Sequence, residues 1–169
     1  MENGLKEFLD QCIYRMDENS KRVNKCLDSL SEEEVWKRPN ASSNTIGNLI
    51  LHLCGNIRQY IISSLGNTPD IRVRAEEFSA QKSLAKAELH NRLASTTEEA
   101  KQVMTNVTYD ELLRKRQVQG FDMSGIGIVV HATEHYSYHT GQVALLTKLW
   151  KNKDLGFYAG VDLDVTNEE

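Results

Sequence analysis

Proline is nearly missing from the chain: Pro39 and Pro69 are the only two in 169 residues. Both lie in turn-rich text, so the long segments around them carry no helix breaker. The period-two alternation that marks a half-buried strand is also missing. Apolar-rich stretches are interrupted by His, Asn, Gln and Arg before they reach bilayer length, which argues against a transmembrane helix. No basic block or arginine-rich stripe occurs and the net charge is −4, which argues against nucleic acid and anionic membranes as partners. Cysteine is sparse. Cys12, Cys26 and Cys54 form an odd set without CxxC spacing, each among apolar helical positions, and read as reduced thiols in or near the core. The opening MENGLKEFLDQ has acidic and amide residues where a signal peptide needs a basic start and an apolar run. The expected location is cytoplasmic. Neither a Ser-His-Asp arrangement nor a phosphate-binding glycine loop is visible.

What is present is helical periodicity. A chain of this length with 40% hydrophobic residues suits one compact domain, 1–169, with a polar tail from about Lys151. A first stripe runs from Leu5 to Leu30 through Phe8, Leu9, Cys12, Ile13, Met16, Val23, Cys26 and Leu27. Ser31-Glu32-Glu33-Glu34 has the form of a capping box and predicts a short helical turn that buries Trp36. A second long helix is expected from Thr45 to Gly66, with Gly66 as its C-terminal cap. A mixed-charge connection, GNTPDIRVRAEEFSA, follows. A third helix is expected over Gln81–Thr105, a short one over Tyr109–Arg114, and a fourth long helix from Gly125 to Trp150, capped by Ser124. The stretch RQVQGFDMSG between the last two reads as irregular or weakly extended. Four long amphipathic helices predict an all-α four-helix bundle.

Three of the five histidines stand at four-residue intervals in HATEHYSYHTGQ, residues 131–142. Four residues are slightly more than one helical turn, so neighbours in this series can meet on one ion. The outer two lie about 12 Å apart along the axis, so at most one adjacent pair chelates. Ile128, Ala132, His135, His139, Gln142 and Leu146 form a half-buried stripe, whereas His131 falls on the next stripe outward. That selects His135 and His139. On the second helix, Asn48, His52, Asn56 and Gln59 form a polar line beside the apolar seam Ile46, Leu49, Ile50, Leu53, Ile57 and Ile61. Such a line is costly unless its members are hydrogen-bonded, ligated or wet. His52 could meet His135 and His139, giving three imidazoles and an open position, the pattern of catalytic zinc. Asn56, Gln142 and Glu134 could fix imidazole tautomers. Hydrogen-bonded core histidines without a metal are the alternative that spacing leaves open. His90 reads as solvated surface; Arg72 and Arg74 read as a solvated loop or as a grip on an acidic substrate.

NTIGNLILHLCGNIRQYI, followed far downstream by HATEHYSYHTGQV, resembles the DinB-like superfamily, in particular its small members with an HLxGN second helix. The resemblance runs over nearly the whole chain. It implies an all-α four-helix bundle with a long crossover between helices two and three, which GNTPDIRVRAEEF fits, and a divalent metal, zinc or nickel, on one histidine of the second helix and two of the fourth. By position those are His52, His135 and His139. It also implies homodimers and, by analogy with thiol-dependent transferases and isomerases, a metal-activated low-molecular-weight thiol. One departure is visible: where similar proteins carry Arg-Asp-Arg-Glu-Phe, this chain reads Arg72-Val-Arg74-Ala-Glu76-Glu77-Phe78. The expected function is therefore a metal-dependent S-transferase or hydrolase-like enzyme with a metal-activated thiol or water. The rivals are a non-catalytic metal-binding or stress-response protein and a metal-free bundle that binds a small ligand. Glu134 is the nearest candidate for a general base.

Overall fold

The computed structural model describes residues 2–81 and 84–167. Helix α1 is Glu2–Ser29, α2 Glu32–Val35 and α3 Ile46–Ile57, which continues without a break as a π-helical stretch, Arg58–Leu65. A short helix α4, Arg74–Ser79, sits in the crossover. Then come α5 Lys86–Asn106, α6 Tyr109–Leu113, strands β1 Lys115–Val118 and β2 Phe121–Ser124, and α7 Gly125–Lys151. Helices α1, α7, α3 and α5 pack in that order around a closed ring, so the molecule is an all-α bundle. The apolar stripes meet inside it: Met16, Val23, Cys26 and Leu27 from α1, Ile46, Ile50, Leu53 and Ile57 from α3, Leu89 and Leu93 from α5, and Val129, Tyr136 and Val143 from α7. Each such aliphatic burial contributes about 1.5–3 kcal/mol before chain entropy is charged against it.

Local chemistry sets the boundaries. Ser31 and Glu34 form the capping box of α2. Thr45 caps α3 through its hydroxyl, and the Asn48 side chain closes the reciprocal bond. Ser124 caps α7, and Asn152 ends it in the left-handed conformation with φ 48°. Two sequence expectations need correction, on the hairpin and on Trp36. RQVQGFDMSG holds an antiparallel hairpin, with Lys115 opposite Ser124 and Val118 opposite Phe121. Its turn residues Gln119 and Gly120 take φ of 51° and 85°, which a two-residue hairpin turn requires. Four-residue strands are too short for alternation to register in sequence. Gly66 is the C-cap residue, as expected, with φ −81° and its N–H donating to the Ile61 carbonyl, and Asn67 after it takes the left-handed conformation with φ 55°. Trp36 is only half-buried, its indole nitrogen donating to the Leu84 carbonyl at 3.1 Å. The tail is tied down at its start, where Leu155 is buried and Lys25 donates to the Gly156 carbonyl. Among the described residues, no helix is long and apolar enough to cross a membrane.

Candidate metal centre

The polar line of α3 works downward turn by turn. Asn48, fully buried, donates through Nδ2 to the carbonyls of Glu77 and Ala80 at 2.9 and 3.0 Å, which pins α4 against α3. One turn on, His52 is 7% exposed, and its Nδ1 lies 2.8 Å from Glu77 Oε2. Arg72 holds the same carboxylate from two sides, Nε to Oε1 at 2.6 Å and Nη2 to Oε2 at 2.8 Å, while Nη1 donates to Gln59 Oε1. The Arg72 side chain is 2% exposed. Burial pushes the Glu77 carboxyl upward, but the hydrogen bonds from Arg72 and His52 outweigh it and hold the group below the usual carboxylate range. An ionised carboxylate only accepts, so the His52 proton resides on Nδ1. Arg72 Nη2, 3.1 Å from that nitrogen, is then a second donor nearby and makes no bond to it. His52 Nε2 is left with its lone pair, aimed at α7.

On α7 the same logic repeats with neutral partners. His139 is 9% exposed, and its Nδ1 lies 2.7 Å from Gln142 Oε1, three residues on. That places its proton on Nδ1 and frees Nε2. His135 Nε2 stands 3.1 Å from His52 Nε2 and 3.2 Å from His139 Nε2. The three ligand atoms all lie within 4.8 Å of one another, a group that could hold a metal ion. Burial, with the neighbouring rings, pushes His135 down to about 3, and burial lowers His139 as well despite its bond to Gln142. Near neutral pH these rings are uncharged bases. Lone pairs converging this closely repel; one His135 proton relieves part of that, whereas one cation accepts all three. Zinc–nitrogen bonds of about 2.0–2.1 Å at the tetrahedral angle set ligand atoms ~3.3 Å apart, close to the two distances from His135 Nε2, while the His52–His139 pair lies within 4.8 Å. The donor set fits a divalent ion. Phe78 packs its ring 4.8 Å from His52, and Tyr138 lies 4.9 Å from His139, so aromatic surface flanks the cluster.

The other candidates fall elsewhere. His131 is half-buried and not on an outward stripe: its ring stacks on Tyr60 at 4.2 Å and its Nε2 accepts from Asn56 Nδ2 at 3.2 Å. The π-helical stretch delivers Tyr60 and Gln59 to this side, a change of phase that a 3.6-residue period does not anticipate. Asn56 therefore grips His131, while Gln142 contacts His139. Glu134 is exposed and borders a cleft between α1 and α7, on the α1 side of its helix. His90 is half-buried between Asn24 and Asp28, joining α5 to α1. Burial pushes the Cys54 thiol up to about 12, so it is no thiolate donor. Sequence reasoning missed Glu77 altogether and assigned Arg72 to a solvated loop or an acidic-substrate grip. No period marks Glu77 in a six-residue helix; the one signal was Phe78 beside it, the single aromatic residue of a mixed-charge connection.

A family model described as "Protein of unknown function (DUF1572)" matches residues 3–159. The chain belongs to that family. This DUF1572 protein matches no functionally curated protein. Its fold is similar to that of a conserved protein from Enterococcus faecalis, with a TM-score of 0.72 at 16% identity, covering 85% of this chain and 97% of that one. It is also similar to DinB-like proteins from Bacillus subtilis and Bacillus cereus, each with a TM-score of 0.67 at 16% identity. Those alignments cover 88% of this chain and 96% of the B. subtilis protein, and 86% and 92% for B. cereus. The DUF1572 chain therefore has the DinB-like fold foreseen from its two histidine motifs.

Proposed function

We propose that the protein is a cytoplasmic metal-dependent S-transferase in which His52, His135 and His139 hold one divalent ion, zinc or nickel. The observation that carries this reading is the convergence of three Nε2 atoms whose tautomers are set from behind. A bound divalent ion supplies Lewis acidity, which lowers the pKa of a bound thiol or water into the neutral range. The chain's own groups then have separate tasks. Glu77 keeps the His52 proton on Nδ1, Gln142 does the same for His139, and Phe78 and Tyr138 give a substrate apolar surface beside the cluster. Three protein ligands leave room for a substrate atom. The exposed stripe of Tyr138, Leu145 and Leu149 on α7, with Gly141 open between them, supports a homodimer through that helix.

A second reading, a non-catalytic metal-binding or small-ligand-binding stress-response protein, draws on one observation. The carboxylate at the cluster, Glu77, is already committed to Arg72 and His52, and Glu134 borders a different cleft. Competitive chelator titration with Zn²⁺ on untagged protein tests the metal reading. His52→Ala, His135→Ala and His139→Ala are each expected to weaken binding by more than about 100-fold, beyond the 10–100-fold usual for outer partners. Unchanged affinity in all three would sink it. Turnover of a thiol with an electrophile that disappears in the same variants separates enzyme from binder.

A further inference from the structure

Gly55 stands in the interior of α3, where a glycine weakens a helix. A Cβ built there would lie 1.9 Å from Glu77 Oε1, 2.7 Å from its carboxyl carbon and 2.9 Å from Arg72 Nε. These three nearest atoms all belong to the Glu77–Arg72 pair, pressed against the helix surface one turn beyond His52. Gly141 on α7 offers the contrast. It too is a mid-helix glycine, and a Cβ there would meet nothing within 4 Å. Glu77 is the group that fixes the His52 tautomer, and its reach to Nδ1 is 2.8 Å. A carboxylate displaced by a methyl at position 55 cannot keep both that contact and its grip on Arg72.

We infer that Gly55 is a positioning residue for the metal centre: it is the notch in α3 that admits the Glu77–Arg72 pair to the back of His52. This inference rests on the metal-centre reading. His-Leu-Cys-Gly-Asn, residues 52–56, then divides its labour. His52 faces the cluster, Gly55 makes room for the group that orients it, and Asn56 holds His131. The crossover helix, which carries Glu77, is part of the centre and not only a connection.

The test is a matched pair of glycine substitutions read by Zn²⁺ affinity, with helicity checked by circular dichroism. Gly55→Ala is expected to weaken Zn²⁺ binding at least about 10-fold, the lower end for loss of an orienting partner, while Gly141→Ala stays within about twofold. Equal affinities in the two variants would overturn the inference and leave the metal reading standing. Should Gly55→Ala fold poorly, the cycle with Glu77→Ala decides, because that change removes the obstructing carboxylate. Gly55→Ala is expected to cost no further affinity in the Glu77→Ala background. A further loss there means Gly55 acts by another route. Should wild-type protein bind neither Zn²⁺ nor Ni²⁺, the metal reading fails by itself, and histidine ¹⁵N spectra of the metal-free protein carry the test. Loss of the His52 Nδ1–H tautomer in Gly55→Ala supports the notch; its persistence refutes it.

Discussion

The candidate site has two walls built on different physics. On the α3 side, His52 is backed by an ionised carboxylate, itself clamped by a guanidinium that is 2% exposed. On the α7 side, His139 and His131 are held by neutral partners, Gln142 for one, Tyr60 and Asn56 for the other, and His135 Nδ1 is buried with no hydrogen-bond partner among the described residues. The charged wall is rigid because removing either member leaves the other buried and uncompensated. The neutral wall is held by burial and weaker dipoles, so its weakness is protonation. The two walls should therefore fail under different insults.

Breaking the charged wall should have the largest effect. Arg72→Ala leaves the Glu77 carboxylate without its bidentate partner, and breaking a buried pair from one side costs about 3–5 kcal/mol. Urea unfolding of metal-free protein should show that loss as a lower midpoint with little change in slope. A loss below about 1 kcal/mol would mean that the pair is a solvated contact and that the two walls do not differ.

The neutral wall should fail with acid. The folded-state pKa of His135 is pushed down to about 3, and those of His139 and His131 are lowered by burial, whereas an unfolded histidine titrates near 6.5. Below about 6.5 the unfolded chain takes up protons that the folded chain refuses. The contribution to stability is complete above that pH and lost as pH falls toward 3. Denaturation midpoints of metal-free protein between pH 7 and 4 should decline, and His135→Leu should flatten the decline. An equal slope in that variant would assign the acid sensitivity to other groups.

These two walls also differ in how legible they were. Bundle and the facing of His52 toward α7 followed from apolar period, because each is a property of a long helix with a repeated pattern. Ser124 before α7 is a single residue with a local mechanism and was readable as a cap, whereas Thr45 was read as the start of the second helix and is its N-cap. Glu77 and Arg72 were not readable, since their positions depend on how a connection folds back, and Asn48 fixes that through two backbone carbonyls distant in sequence. His131 was misplaced for a related reason. Its stripe was judged on α7 alone, while the partner surface comes from Tyr60 on a π-helical stretch.

The smallest expected effect concerns that same residue. His131 stands one turn before His135, as His139 stands one turn after, yet its ring stacks on Tyr60 and its Nε2 is taken by Asn56. His131→Phe keeps an aromatic ring against Tyr60 and removes only the acceptor. Stacking of this kind is worth about 0.5–1.5 kcal/mol and is retained. Asn56 Nδ2 loses its partner, and an orphaned buried donor costs about 1–3 kcal/mol, so stability should fall modestly. Zn²⁺ affinity should stay within about threefold of wild type, since a hydrogen-bonded partner of a ligand is worth 10-fold or more, whereas His131 meets His135 only ring to ring, at 5.6 Å between centroids, a contact that Phe keeps. Chelator competition on this variant, run beside His139→Ala, reads the difference between the two neighbours of His135. A collapse of affinity in His131→Phe with His139→Ala unaffected would shift the site one turn toward Tyr60 and make Asn56, not Gln142, the residue beside a ligand.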